Sequence, residues 1–225
     1  MGVLVACTVL VLWVGSLAAL LVHGAAGMSP SLVVLVVLVR TWLTVGLFIT
    51  AHDAMHHSVS KHRLVNDAFG YVACFLFAAM SYGRLVRNHG RHHAAPGTAD
   101  DPDFGMRSQA LPVWFFTFMA RYTTVLQVVT MAVLYNLLHL RFGDGTLWAF
   151  WVGPALLGSV QLFLFGTYLP HHPPHTAAMG EHRARSARWG HAASLLTCFF
   201  FGYHREHHEQ PGVPWWRLWR IPASR

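Results

Sequence analysis

Long apolar runs alternate with shorter polar and histidine-rich stretches along the 225-residue chain. An α-helix needs about 20 consecutive apolar residues to cross the hydrocarbon core of a bilayer. Four runs reach this length, and they predict transmembrane helices at about 3–22, 31–51, 111–138 and 146–169. We therefore predict an all-α integral membrane protein whose residues 1–225 form a single domain with four transmembrane helices.

Two further apolar stretches are too broken or too short to cross a bilayer. Residues 64–86 are interrupted by Asn66, Asp67 and Gly70, which favours a re-entrant or interfacial element. Residues 189–203 are shorter than a span requires. Neither stretch changes the predicted number of transmembrane helices.

The basic residues are distributed unequally between the two sides of the predicted membrane. Six Lys and Arg residues occur in 52–110 and seven in 170–225, whereas the connection on the other side has only Arg141. Cytoplasmic segments carry such an excess. We therefore predict that both segments form a histidine-rich cap of short amphipathic helices on the cytoplasmic face of the inner membrane. The same bias accounts for the net charge of +7, so we expect the lipid membrane, and no nucleic acid, as a partner. Arg40 lies within the second run, where a charge must face protein, and we expect a structural role for it.

Histidine is unusually abundant, with 17 residues against 16 Lys and Arg together. Nine of them form three groups on the predicted cytoplasmic side: His52-Asp-Ala-Met-His56-His57, His89-Gly-Arg-His92-His93 and His204-Arg-Glu-His207-His208. Positions i, i+3 and i+4 share one face of a helix, so the three imidazoles of each H-x-x-H-H group should converge. His171 emerges directly from the end of the fourth predicted span. Because neutral imidazole suits iron, zinc, copper and nickel, these histidines predict a centre of two metal ions at the membrane surface.

Other uses of histidine fit the sequence less well. Soluble di-iron bundles combine histidine with several glutamates, but this chain has Glu only at positions 181, 206 and 209. A proton relay would place histidine and carboxylate residues inside the spans. A metal or proton transporter is therefore the less favoured alternative. Isolated histidines are expected to be packing or interface residues, namely His23, His62, His139, His182 and His191.

Several stretches together resemble a known family of membrane enzymes. They are the three histidine groups, Gly97-Thr-Ala-Asp-Asp-Pro-Asp-Phe104, Phe165-Gly-Thr-Tyr-Leu-Pro-His171 and Pro214-Trp-Trp216. The histidine groups resemble the boxes of the membrane fatty-acid-desaturase-like superfamily of non-haem di-iron enzymes. The Gly97 and Pro214 stretches narrow this resemblance to bacterial β-carotene ketolases, and it covers about residues 40–220.

The resemblance implies a non-haem di-iron oxygenase that uses two Fe ions and takes O2 as co-substrate. The implied enzyme is a carotenoid 4-ketolase, converting β-carotene via echinenone to canthaxanthin by successive hydroxylations at ring C4 and loss of water. Electrons would come from a ferredoxin-like donor, and hydroxylated carotenoids are further candidate substrates. A carotenoid hydroxylase or an acyl-lipid desaturase on the same scaffold is the alternative. The implied metal ligands are His52, His56, His89, His92, His93, His171, His204, His207 and His208.

Two positions depart from the family pattern. His57 stands where these ketolases have Gly, so either His56 or His57 completes the first group. His172 stands where they tend to have Arg, and His175 lies nearby. We favour His171 as the remaining ligand because it leaves the fourth span directly, with His172 and His175 as alternatives.

Carboxylates near the histidine groups are candidates for holding the ligands in place. Ligand histidines usually donate their second N–H to a carboxylate or carbonyl, and we expect this role of Asp53, Asp101 and Asp103. For Asp101 and Asp103, a turn around Pro102 is the alternative role. Glu206 is also near the ligands but lies off the shared histidine face, so pairing with Arg205 is its alternative role. A long polyene would suit an apolar tunnel. Phe115, Phe116, Phe163 and Phe165 are candidates for its lining, but lipid-facing packing is the favoured role of each one singly.

Overall fold

The computed structural model describes residues 1–187 and 189–222, and all regular secondary structure in these ranges is helical. Arg188 and Arg225, which belong to the predicted basic tail, lie outside the described residues.

Three helices are each long and apolar enough to cross a membrane: α1 Gly2–His23, α2 Pro30–Met55 and α7 Asp144–His171. They correspond to the predicted spans 3–22, 31–51 and 146–169. Helix α7 contains two π-helical segments, Trp148–Val152 and Leu164–Tyr168. Helix α2 packs between α1 and α7 through a shared cluster of buried apolar side chains that includes Trp13, Leu43, Leu147 and Trp151. Many of the other apolar side chains on these helices are exposed, as expected where lipid covers the surface.

Arg40 connects these three helices from inside the bundle. It is 1% exposed, and its Nη1 donates to the carbonyl of Trp13 and to Ser16 Oγ, both at 2.7 Å. Its Nε donates to the carbonyl of Phe150 at 3.1 Å, within the first π-helical segment. The guanidinium also lies 4.7 Å from the centre of the Trp13 ring. These contacts agree with the structural role expected for Arg40.

The predicted span 111–138 is not one helix. It forms α5 Leu111–Tyr122 and α6 Val125–His139, whose axes differ by 87°. The Thr124 hydroxyl accepts from the backbone N–H of Gln127 at 3.1 Å, and the Gln127 side chain accepts from the N–H of Thr124. This reciprocal capping box starts a new helix inside the apolar run. Together the two helices are long and apolar enough to form one broken span. Counting this pair and a second bent pair, Arg63–Ala78 and Tyr82–Ala94, the described residues contain three to five candidate spans, so the predicted number of four is not fixed.

Residues 64–86 also form a bent pair of helices. Helix α3 Arg63–Ala78 and helix α4 Tyr82–Ala94 meet at 104°, and Ala79 between them has a positive φ of 52°. The bend requires glycine at position 70, because a Cβ there would lie 2.2 Å from the Tyr82 ring. Helix α3 packs against α2, and its turn toward α4 brings the second histidine group beside the end of α2.

The segment after α7 folds back over the ends of the longer helices. It contains α8 His191–Cys198, α9 His204–Glu209 and three 3₁₀ turns at Ala177–Met179, Phe201–Tyr203 and Trp215–Arg220. Phe199 and Phe200 adopt positive φ values of 46° and 62°, which ends α8 and redirects the chain into α9. Phe199 stacks on Trp42 of α2 with ring centres 4.3 Å apart, so α9 is anchored against the transmembrane bundle.

Candidate metal centre

The nine histidines that the resemblance implies as metal ligands come together in two neighbouring groups. We call them group A, with five members, and group B, with four. In each group one ring nitrogen per residue lies within 4.8 Å of those of all other members. The members of group A are His52, His56, His89, His93 and His207, and those of group B are His92, His171, His204 and His208.

The H-x-x-H-H spacing divides its histidines between the two groups instead of directing all three to one point. In α4, His89 and His93 belong to group A whereas His92 belongs to group B. Helix α9 does the reverse, since its first and fifth positions belong to group B and His207 belongs to group A. The expected convergence of three imidazoles is therefore wrong, because positions i and i+4 lie almost in line along a helix and i+3 is rotated to the side.

The imidazole nitrogens are too crowded to satisfy one another by hydrogen bonding. The Nε2 atom of His89 lies 2.7 Å from that of His56 and 3.1 Å from that of His93. In group B, Nε2 of His204 lies 2.9 Å from that of His171. Neither ring nitrogen of the buried His52 has a hydrogen-bond partner among the described residues. Burying polar atoms without partners costs free energy. A metal ion can accept the lone pairs of several ring nitrogens at once, so the arrangement of these imidazoles fits a metal.

Burial also keeps the histidines of α9 in the state that binds metal. It lowers the pKa of His204 to about 3, with a further contribution from His92, and it lowers the pKa of His207 and His208 well below the ordinary value. All three rings are therefore neutral at pH 7. Only neutral imidazole has a lone pair to offer a metal ion.

Two ligand candidates are held from behind in the way expected of metal-binding histidines. His92 Nδ1 donates to Asp101 Oδ1 at 3.0 Å, and Asp101 in turn accepts from the N–H groups of Gly97 at 2.7 Å and Asp103 at 2.8 Å. His171 Nδ1 donates to the backbone carbonyl of Arg183 at 3.1 Å. The first contact is the one expected of Asp101. The second was missed, since sequence gives no signal for a backbone carbonyl 12 residues away.

The other two aspartates do not contact a ligand imidazole at hydrogen-bond distance. Asp53 Oδ1 lies 3.9 Å from His52 Nδ1, which is too long, and Asp53 Oδ2 instead accepts from the N–H of Trp215 at 3.3 Å. Asp53 thus ties α2 to the Pro-Trp-Trp stretch. Asp103 accepts a hydrogen bond from the Tyr122 hydroxyl.

The pairing considered for Arg205 and Glu206 is wrong. Arg205 Nε donates to Glu209 Oε1 at 2.8 Å, because residues four apart face each other on the outside of α9. Glu206 is buried and accepts from the Ser186 hydroxyl. It therefore holds α9 against the preceding loop.

The alternative ligands left open by the sequence lie outside both groups. His57 follows the end of α2 with a positive φ of 55°. His175 Nε2 donates to the backbone carbonyl of His171 at 3.0 Å, and His172 stacks on Trp114. The geometry thus favours His56 and His171 over these three residues.

A cavity of about 260 Å³ reaches the histidine groups from within the helical bundle. His52, His89, His92 and His204 line it, and so does Thr123 at the α5–α6 bend. Most of the rest of its lining is apolar and includes Phe48, Met55, Phe77, Met80, Phe118, Leu162 and Phe201.

The four phenylalanines considered as candidates for a tunnel lining do not line this cavity. Phe116 is 69% exposed, and Phe163 packs against Phe115 and Phe118. Hydropathy cannot separate a cavity wall from a lipid-facing surface, so the true lining was missed. One signal was available: Phe48 precedes His52 by four residues and therefore lies on the same face of α2.

Comparison with known proteins places this architecture in a family. The protein-family model described as "Fatty acid desaturase" matches residues 28–142 and 119–222. The chain belongs to the fatty acid desaturase family. It is 46% identical over 197 residues to a "Beta-carotene ketolase" from Paracoccus sp. (strain PC1), covering 86% of this chain and 80% of that protein. It is 37% identical over 235 residues to a "Zeaxanthin 4-ketolase" from Chlamydomonas reinhardtii, covering 96% of this chain and 52% of that protein. No solved structure matches the chain.

The family assignment confirms the resemblance read from the histidine groups and the two flanking stretches. A second Paracoccus "Beta-carotene ketolase" is 44% identical over 204 residues and aligns with 89% of this chain. Membership in this family, together with these relatives, identifies the chain as an oxygenase-type enzyme, and its long apolar helices indicate a membrane protein.

Proposed function

We propose that this protein is a carotenoid 4-ketolase that converts β-carotene via echinenone to canthaxanthin. One observation carries the proposal: two adjacent groups of buried and half-buried histidines lie beside an apolar cavity, and four of the nine histidines line it. Relatives named β-carotene ketolase, 44–46% identical over most of the chain, direct the proposal to carotenoid rings rather than to acyl chains.

The metal centre in this proposal consists of two iron ions, one in each histidine group. Group A supplies five imidazoles and group B four, all from the predicted ligand set. When bound, the iron pair supplies the activation of O2. The protein's own contribution is to hold neutral imidazoles in fixed orientations, with Asp101 behind His92 and a backbone carbonyl behind His171.

The cavity dimensions suit one end of a carotenoid. Sites that enclose a whole drug-sized ligand usually have volumes of about 300–1,000 Å³, so a cavity of about 260 Å³ encloses one terminal ring. The polyene then extends past the α5–α6 bend toward the lipid. The two rings of β-carotene would consequently react in separate binding events.

The proposed reaction needs electrons from outside the protein. Each hydroxylation at ring C4 consumes one O2, two electrons and two protons, and forms one hydroxyl group and one water. Two rounds at the same carbon give a geminal diol, which loses water to leave the ketone. We assign the electrons to a ferredoxin-like donor on the cytoplasmic side of the inner membrane, the side on which the basic bias of the sequence predicts the histidine groups.

Expression in a bacterial host that accumulates β-carotene tests this proposal directly. Pigment chromatography should show echinenone and canthaxanthin in air and neither when the cells grow without O2. The purified protein should contain about two iron ions per chain. A diol with the ring hydroxyls of zeaxanthin would indicate the hydroxylase alternative, and altered lipids with unchanged pigments would indicate a desaturase.

Two single-histidine variants provide a test and its matched control. His207→Ala removes a group A member and should abolish ketone formation while the protein still inserts into the membrane. His62→Ala changes an exposed histidine outside both groups and should leave pigment formation unchanged. Full ketone formation by His207→Ala would refute the ligand assignment.

A further inference from the structure

The wall of the apolar cavity contains one carboxylate next to the histidine groups. Asp103 lines the cavity, is 8% exposed, and has a carboxylate oxygen within 4.8 Å of a ring nitrogen of His92. A charged group in such surroundings is costly to bury and is usually retained for a function.

The Asp103 carboxylate is held in place but only half engaged. Oδ1 accepts from the Tyr122 hydroxyl, and Trp114 Nε1 donates to the backbone carbonyl of Asp103 at 2.7 Å. No hydrogen bond among the described residues reaches Oδ2. Unlike Asp101, which supports His92 from behind, Asp103 makes no hydrogen bond to a histidine. One oxygen therefore remains available to a molecule in the cavity.

Gln127 and Ser159, two other polar residues of the cavity, are less suited to bind a ligand near the metals. The Gln127 side-chain oxygen is used in the cap of α6, and the Ser159 hydroxyl donates to the carbonyl of Ala155 one turn earlier. Both satisfy their own helices. Asp103 differs because it belongs to the loop between α4 and α5 and lies beside a candidate ligand.

We propose that Asp103, positioned by Tyr122, accepts a hydrogen bond from the hydroxyl group of the once-oxidised ring and holds that intermediate for its second oxidation. This inference rests on the proposed function, since it assigns a site to the 4-hydroxy intermediate of that reaction. A ring carbon facing the metal pair carries its new hydroxyl close to the cavity wall at His92, where the free oxygen of Asp103 lies. β-Carotene itself has no hydroxyl group, so the contact forms only after the first round.

The site predicts a difference between two substrates of the same enzyme. In Asp103→Asn the amide nitrogen replaces an acceptor oxygen, and in Tyr122→Phe the carboxylate loses its positioning partner. Asp103→Asn should raise the apparent KM for 4-hydroxy-β-carotene by about tenfold, the effect of losing one hydrogen bond to a charged group. Tyr122→Phe should raise it by less, because the carboxylate remains but is no longer held in place. The KM for β-carotene should not change in either variant. With β-carotene as substrate, Asp103→Asn should release about tenfold more 4-hydroxy product per ketone formed, and Tyr122→Phe a smaller excess.

A second Tyr–Asp pair in the chain supplies the matched control. Tyr135 donates its hydroxyl to Asp144 Oδ1 at 2.5 Å, but this pair is exposed and does not line the cavity. Tyr135→Phe removes the same kind of hydrogen bond and should leave both KM values and the product ratio unchanged.

The assay uses membranes containing the full-length protein, a chemical or ferredoxin reductant, and each carotenoid in turn, with iron measured in parallel. Unchanged KM values and product ratio, with only total product lowered, would show a structural role and overturn the inference. Loss of iron from Asp103→Asn would instead assign the carboxylate to the metal centre and also overturn it. If the unmodified protein forms no ketone from β-carotene, the proposed function fails as well. If the unmodified protein forms ketone normally and the variants release the same ratio of 4-hydroxy product to ketone as it does, this inference alone is refuted.

Discussion

Replacing Asp101 by Asn tests whether the groups behind the histidines control metal binding. The carboxylate accepts three hydrogen bonds, with His92 and the Asp103 N–H at Oδ1 and the Gly97 N–H at Oδ2. Asparagine can keep the two bonds at its carbonyl oxygen. Its amide then directs N–H groups at the Gly97 N–H, which lies 2.7 Å from the present Oδ2, so a donor faces a donor.

The expected magnitude follows from these contacts. Losing one hydrogen bond to a charged group and leaving a buried N–H unpaired costs about 1.5–3 kcal/mol of folding stability. His92 also loses its negatively charged partner, and changes of this kind lower metal affinity or activity by about 10- to 100-fold. Group B should be affected first because His92 belongs to it.

Iron content and ketone formation at limiting iron supply measure this effect. Asp100→Asn is the matched control, since Asp100 is the exposed neighbour and its carboxylate makes no hydrogen bond to a histidine among the described residues. Asp101→Asn should bind about one iron ion fewer than the control, and excess iron should restore part of its activity. Wild-type iron content and ketone formation at every iron supply would refute the reasoning.

Three other changes test the scaffold. Arg40→Met removes the three hydrogen bonds that join α1, α2 and α7, and it should lower the midpoint of thermal inactivation in detergent because buried carbonyls lose their donor. Gly70→Ala places a methyl group 2.2 Å from the Tyr82 ring and should reduce the yield of folded protein, whereas Gly90→Ala, with open space around it, should not. Stability should be greatest above pH 6.5 and fall as the pH drops toward about 3, because the unfolded chain takes up a proton at His204 that the folded protein resists; equal thermal midpoints at pH 5 and 7.5 would contradict this.

Hydropathy and residue spacing predicted much of the fold but not its interruptions. The first, second and fourth predicted spans match α1, α2 and α7 to within a few residues. The third was wrong as a single helix because the capping box at Thr124 and Gln127 is a local hydrogen-bond signal that an apolar average hides. A Thr three residues before a Gln was visible in the sequence and could have indicated the bend.

In the candidate site, too, residue spacing predicted part of the arrangement and tertiary packing determined the rest. The nine histidines could be chosen from their pattern and from the family resemblance, but their division into two groups could not. Spacing along α4 gives directions relative to that helix only, whereas membership in group A or B depends on where α2, α7 and α9 end in space. The cavity lining depends on the same packing, and for that reason Phe77 and Phe201 were not foreseen.

Helices α4 and α9 each contribute to both histidine groups, and they do so in opposite proportion. A rotation of either helix that improves the geometry of one group therefore changes the other in the same movement. In the proposed di-iron protein, the loss of one ion would therefore also weaken the site of the other. The same shared helices would hold the two ions at a constant separation during repeated turnover.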